Sequence, residues 1–244
     1  LAEILLKAEN LSVGYGKPLF SMERLNFAAG EFVCLVGPNG SGKSSLFRTL
    51  SGLVPALSGK VALCGLPLLS IPARRRAQLL AVVFTLVSVP RGLSVQEFVS
   101  LGRIPYSGFL DSRTAEDEAA VRDALRDAGV ENLSGRELCT LSDGERARAF
   151  LARALAGRSK VLLLDEPSAF LDVPHTLALF RLLRTLARER NTAVIASTHN
   201  IDYACRFADE LLALDGMGGA FSGSVAETIR GGYLNWAEVN NEKE

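Results

Sequence analysis

The stretch Gly37-Pro38-Asn39-Gly40-Ser41-Gly42-Lys43-Ser44-Ser45 decides how the rest of the chain is read. From Gly37 it has the form G-x-x-x-x-G-K-S, the phosphate-binding loop in full. An apolar run, Phe32 to Val36, stands directly before it, and a helical pattern with Leu46, Phe47 and Leu50 directly follows. Strand, loop and helix are the context this motif requires. Its glycines let backbone N–H groups curl around phosphate oxygens. The helix starting near Lys43 adds its positive end. Lys43 has the reach for the outer phosphates, and the Ser44 hydroxyl is of the kind that ligates Mg²⁺. A bare Gly/Ser turn before a helix is the bland alternative, but here residue types and flanking elements agree on phosphate.

A length of 244 residues suits one large α/β domain, or one domain with an inserted lobe. Lys and Arg number 27 and Asp and Glu number 27, so no global charge argues for nucleic acid, and none is expected as a partner. Cys34, Cys64, Cys139 and Cys205 are scattered with no CxxC pair. They suit a reducing compartment and burial, rather than zinc or a disulfide framework. No run of 18 apolar residues appears, so any membrane role is expected to be peripheral. No signal-peptide pattern is visible, and Leu1 in place of an initiator Met leaves the start open.

Taken in order, Ile4 to Lys7, Leu11 to Tyr15, Leu19 to Phe27, Phe32 to Val36 and Lys60 to Cys64 read as strands. Several short strands near the N-terminus predict an antiparallel sheet beside the nucleotide core. Tyr15, on a Gly-rich turn, is either a core tyrosine or an aromatic that stacks on a flat ring such as adenine. Arg74-Arg75-Arg76 reads as a solvated helix face, and Ala81 to Phe84 as a strand ending at Thr85. Thr114 to Ala128 is a helix with Thr114 and Asp117 as its capping pair and Gly129 as its stop. Ser142-Asp143-Gly144-Glu145 opens another helix with an S-x-x-E capping box. Gly144 leaves its first turn bare, which allows a partner to approach closely. Val161 to Leu164 is the run of a central parallel strand. Pro174 to Arg188 is a helix with Asp172 as cap, and Thr192 to Ser197 is the next strand. Two short strands, Leu211 to Leu214 and Ala220 to Ser222, precede a polar tail from Asn240.

Asp165 and Glu166 stand at the C-terminal end of the Val161 strand, the end where ligands bind in open α/β sheets. Adjacent residues point differently, so Asp165 is free to serve Mg²⁺ through water while Glu166 orients or polarises the attacking water. His199, after another strand, is placed to bond to the γ-phosphate or to that water. The long, mostly helical stretch from about 86 to 156 reads as an inserted helical lobe within a single domain spanning 1–244. The N-terminus of the Ser142 helix is a second anion-binding end, and a second subunit would give it a phosphate to hold.

These motifs, in this order, resemble an ABC-type ATPase over almost the whole chain. Tyr15 matches the adenine-stacking aromatic, Gly37 to Ser44 match Walker A, and Val161 to Glu166 match Walker B with its catalytic glutamate. Leu141-Ser142-Asp143-Gly144-Glu145 matches the signature motif, Ser168 to Asp172 the D-loop, and His199 the switch histidine. The resemblance implies a phosphate-loop α/β core with an antiparallel β subdomain and an inserted helical subdomain. It implies ATP and Mg²⁺ as cofactors and a head-to-tail homodimer with two ATP molecules sandwiched. Each ATP would lie between one subunit's loop, including Ser45, and the partner's Ser142, Gly144 and Glu145, with Asp172 nearby.

Two positions depart from the pattern. The signature carries Asp143 and Glu145 where Gly and Gln are usual, so Asp143 must point away or be screened. Thr85 stands where the family has a glutamine that reaches toward Mg²⁺ and the attacking water. Either the Thr85 hydroxyl faces the nucleotide and acts through a bridging water, or it merely caps its strand. The segment Leu101-Gly102-Arg103-Ile104-Pro105-Tyr106 resembles ATPases of importers for iron–siderophore, haem and cobalamin; as an ordinary Gly-Arg turn it would mean nothing. The resemblance implies a peripheral protein on the cytoplasmic face of the cell membrane. Its partners would be a permease dimer contacting 85–110, through Arg103 and Tyr106 above all, and indirectly a periplasmic or surface substrate-binding protein. A soluble ABC ATPase of repair, translation or cofactor assembly, and a non-catalytic scaffold, are the rival classes.

Overall fold

The computed structural model describes residues 2–85, 91–106 and 114–236. The expected permease-contact stretch therefore lies partly outside the described residues, and the polar tail from Asn240 lies wholly outside them. The chain opens with long antiparallel strands β1 (Ile4–Tyr15) and β2 (Lys17–Ala28), turning at Gly16. Strand β3 (Phe32–Val36) leads into helix α1 (Lys43–Leu50). Strands β4 (Ser58–Leu63) and β5 (Leu66–Pro67) follow, then α2 (Ala73–Leu79) and β6 (Leu80–Val83). Three helices come next, α3 (Val95–Ser100), α4 (Ala115–Asp127) and α5 (Asp143–Ala156). Then β7 (Val161–Leu164), α6 (Val173–Arg190), β8 (Ala193–Ser197) and α7 (Ile201–Phe207) alternate. Strands β9 (Glu210–Leu214) and β10 (Ala220–Ser224) and helix α8 (Val225–Arg230) finish the described chain.

The strands form two sheets. The first, in order β2-β1-β4-β5, is antiparallel throughout, as the short N-terminal strands predict. The second has order β10-β9-β3-β8-β7-β6 and is parallel except where β10 closes its edge. Every residue of β3, β7 and β8 is buried, which is why these three read as unbroken apolar runs. The pleat sends alternate residues to opposite faces. Phe32, Cys34, Leu162, Leu164, Val194 and Ala196 enter one core with Phe98, Leu125, Phe150 and Phe180. Val33, Leu35, Val161, Leu163, Ala193 and Ile195 enter the other, with Leu46 and Phe47 of α1 and Leu6 and Phe27 of the antiparallel sheet. The two cores fix α1 on one face and α3 to α5 on the other. Among the described residues, no helix is long and apolar enough to cross a membrane.

Two expectations need correction here. Cys34 is buried and Cys64 and Cys205 are half-buried, but Cys139 is exposed on the turn before α5. Arg103 is an internal brace rather than a presented surface, and Tyr106, half-buried, braces it from one side. Arg103 is only 5% exposed; its Nε pairs with Asp117 Oδ1 at 2.7 Å and its Nη1 donates to the Ala156 carbonyl at 3.1 Å. The guanidinium lies 3.9 Å from the centroid of the Tyr106 ring, and the Tyr106 hydroxyl donates to the Gly157 carbonyl at 2.7 Å. A charged residue reads as surface until a counter-charge is found for it, and Asp117 sits 14 positions away on another helix.

Asp117 also caps α4, and the Thr114 N–H, then Arg103, lower its carboxyl to about 2 from an ordinary 3.8. A depressed carboxylate adds stability above its unfolded value and loses it as pH falls through the folded one. Acid unfolding of the parent should therefore steepen as pH falls from about 4 to about 2, and Asp117→Asn should flatten that window. Arg103→Ala, which strands a buried carboxylate, should cost about 3 kcal/mol in urea unfolding at neutral pH.

Candidate active site

The loop between β3 and α1 is built to hold an anion. Helices α3 to α8 each start with a side-chain cap, whereas α1 starts at Gly42 with none. Its first-turn amides are thus left for a ligand. Gly42 has φ +104°, and Gly37 admits no side chain, since a Cβ there would lie 2.7 Å from the Leu214 carbonyl oxygen. Ser41 Oγ is buried without a hydrogen-bond partner, an orphan in the floor of the loop. Lys43 is buried under the loop, and its ammonium donates to the Gly37 carbonyl at 2.7 Å and the Pro38 carbonyl at 3.1 Å. Burial lowers its pKa, and the nearby Glu166 and Asp165 charges oppose that shift. Pro38 is half-buried, whereas Asn39, Gly40 and Ser44 are exposed at the rim. Tyr15 is 57% exposed and so is no core residue; its hydroxyl accepts from Arg48 at 3.2 Å. That bond, and one with Ser45, lower its pKa.

The carboxylate pair is split as the sequence predicts. Asp165 is buried, and its Oδ1 accepts from the Ser197 hydroxyl at 2.8 Å. Glu166 takes a left-handed backbone, φ +49°, and its Oε1 lies 2.6 Å from His199 Nε2. The Glu166 N–H donates to Ser197 Oγ at 2.8 Å. The Thr85 hydroxyl donates to the Asp165 carbonyl at 2.6 Å, which ties the end of β6 to the end of β7 and leaves the hydroxyl oxygen only as an acceptor for a water.

At the start of α5 the capping box is complete. Ser142 Oγ accepts from the Glu145 N–H at 3.3 Å, and the Ser142 N–H donates to Glu145 Oε2 at 2.9 Å. The Ser142 hydrogen bonds, backbone first, lower the Glu145 pKa. Asp143 is screened by Arg146, with Nη1 and Oδ1 at 3.0 Å. Gly144 is constrained from within as well: a Cβ there would lie 3.0 Å from the Phe170 carbonyl oxygen. A bulky residue at this position would disturb the chain's own fold, and it is therefore a poor probe of any partner contact. Asp172 caps α6 through the His175 N–H at 2.9 Å, and its Oδ1 lies 2.5 Å from His175 Nδ1. Among the described residues, no hydrogen bond or ion pair joins Ser142–Glu145 to the loop at 37–45.

The free amides, buried ammonium and orphan hydroxyl fit a nucleoside triphosphate. Among the described residues no trio of metal-binding side chains exists. A Mg²⁺ ion held mostly by phosphate needs few protein ligands, and Ser44 and Asp165 are the residues that would hold it. The ABC transporter family profile matches residues 22–169. The chain belongs to the ABC transporter family. The hemin import ATP-binding protein of Streptomyces coelicolor is 39% identical over 234 residues, covering 96% of this chain and 82% of that protein. The ferric enterobactin transport ATP-binding protein of Escherichia coli is 36% identical over 210 residues, covering 86% and 78%. A solved dimeric bacterial ABC transporter cassette superposes with a TM-score of 0.81 at 25% identity, over 91% of this chain and 99% of that one. This ABC subunit binds and hydrolyses ATP, with Mg²⁺ as the accompanying ion.

The structure brings the loop, Asp165, Glu166 and His199 to one end of the parallel sheet, and it adds Ser197, which sequence reasoning passed over. Its signal was register. Leu164 pairs with Ala196, so the next residues along, Asp165 and Ser197, must stand side by side. For Thr85, removal of the bond to Asp165 should cost about 1 kcal/mol of stability in Thr85→Val. Thr85→Ser should keep it, and basal ATPase should fall modestly in the valine variant alone. Matching urea midpoints and phosphate-release rates for the two variants would show that the bond contributes nothing.

Proposed function

We propose that this chain is the ATPase subunit of an importer of the iron–siderophore or haem type, docked peripherally on the cytoplasmic face of a membrane. The observation that carries it is a pair of half-sites. The loop with Asp165, Glu166 and His199 is one, and the capped start of α5, unconnected to that loop, is the other. The solved cassette that this chain resembles is a dimer. In the corresponding head-to-tail homodimer, one copy's Ser142, Gly144 and Glu145 complete the partner's loop, and Asp172 lies by the junction. Within each copy, Lys43 and the loop amides hold phosphate, Tyr15 stacks on the base, Ser44 and Asp165 hold Mg²⁺, Glu166 takes the water's proton, and His199 positions Glu166. ATP supplies the phosphoryl group that is transferred to water.

Cargo class comes from relatives named for hemin import and ferric enterobactin transport. The helical stretch at 86–156 is the proposed inserted subdomain. Its permease contact is moved from Arg103 and Tyr106 to their exposed neighbours, Leu101 at 38% and Ile104 at 58% exposure. A separate substrate-binding protein delivers cargo to the permease without touching this chain.

Glu166→Gln should keep ATP binding, lose hydrolysis by about 10²-fold or more, and trap an ATP-bound dimer visible by light scattering. Parent-rate hydrolysis in that variant would remove the assignment. Leu101→Asp with Ile104→Asp should release the protein from membranes containing its permease while purified ATPase activity stays intact. Uptake of a ferric siderophore compared with haem, in vesicles reconstituted with that permease, then decides the cargo; uptake of neither would discard both.

A further inference from the structure

We propose that Ser197 is the positioning residue that sets Asp165 toward Mg²⁺ and Glu166 toward water. The inference rests on the roles given to those two carboxylates above. Ser197 ends β8, is fully buried, and shares the sheet face of Ala193 and Ile195, which is the face that α1 covers. By the same alternation Asp165 follows Val161 and Leu163 onto that face.

The hydrogen-bond directions at Ser197 are forced. The Glu166 N–H has only a proton to give, so Ser197 Oγ accepts it at 2.8 Å. The single hydroxyl proton then goes to Asp165 Oδ1, also at 2.8 Å. One carboxylate oxygen is committed and oriented by this bond. The other, Oδ2, accepts no hydrogen bond from the described residues and is left for the metal's hydration shell.

The second bond acts on Glu166. A left-handed φ of +49° is one that a non-glycine residue keeps only when its surroundings hold it. The grip on its N–H holds that turn, and the turn delivers the side chain to His199. One hydroxyl thus fixes both the metal-facing oxygen and the direction of the water-facing side chain.

The Asp165 main chain is anchored independently from β6. Its N–H donates to the Val83 carbonyl at 2.8 Å, and its carbonyl accepts from Thr85 at 2.6 Å. Removal of the Ser197 hydroxyl should therefore free the carboxylate and the Glu166 peptide without displacing the strand. A merely structural serine would behave differently. Ser159, buried at the other end of β7 with its hydroxyl on the Val161 carbonyl at 3.0 Å, supplies that comparison.

The test uses Mn²⁺ with a non-hydrolysable ATP analogue, followed by electron paramagnetic resonance, together with hydrogen exchange at the Glu166 amide. Ser197→Ala should weaken Mn²⁺ binding in the ternary complex about tenfold, the scale of one charge-assisted hydrogen bond. Metal-free analogue binding should stay within about twofold, since the loop that holds phosphate is untouched. The Glu166 amide should exchange faster. Ser197→Thr should restore both properties, and Ser159→Ala should alter neither, even if its melting temperature falls. Parent Mn²⁺ affinity and amide protection in Ser197→Ala would overturn the proposal. Asp165→Asn separates the two levels. If it weakens Mn²⁺ binding while Ser197→Ala does not, the Ser197 proposal alone fails. If it leaves Mn²⁺ binding unchanged, the role of Asp165 fails and takes the Ser197 proposal with it.

Discussion

The molecule depends on the placement of a short strand, β7, between β6 and β8. Its four residues are wholly buried, and its register brings three strand ends to one level. Apolar packing on both faces supplies the force that holds it there. The chemistry begins one residue later, where the chain must leave the core carrying two negative charges. Thr85 from one neighbour and Ser197 from the other take hold of that exit. Two hydroxyls do this work, one on the Asp165 main-chain carbonyl and one on its carboxylate, and neither brings a charge with it.

Lys43 illustrates the same economy on the facing side. An ammonium taken out of water needs partners, and here it finds two carbonyls of its own loop. Those carbonyls hold it in place under the glycine turns, and the first turn of α1 above carries no side-chain cap. The site is thus organised before any phosphate arrives, and little reordering is needed on binding.

What the sequence made legible follows from distance along the chain. The phosphate loop, the capping boxes at Thr114 and Ser142 and the cap at Asp172 are local devices. Each is spelled within a short contiguous stretch, three or four residues for the caps and nine for the loop, and the caps are present as read. Strands β3, β7 and β8 were equally plain because burial on two faces leaves little room for polar residues. Ser197, Thr85 and Arg103 were not legible for the opposite reason. Their partners lie 32, 80 and 14 positions away. A serine at a strand end and an arginine in a turn look like surface until the topology supplies their neighbours. Gly144 was half legible: its bareness was plain, but the need for it comes from the Phe170 carbonyl as well as from any partner.

The stretch from Leu101 to Tyr106 gains a mechanical meaning from its contacts. A methyl group on Gly102 would sit 2.1 Å from the Arg153 carbonyl oxygen, so the turn lies flush against α5. Arg103 and Tyr106 then bolt it to the last carbonyls of that helix, while Leu101 and Ile104 stay outside. The same helix carries Ser142 at its far end. Through these contacts, whatever displaces Leu101 or Ile104 bears first on the C-terminal end of α5, the helix whose other end is the Ser142 cap.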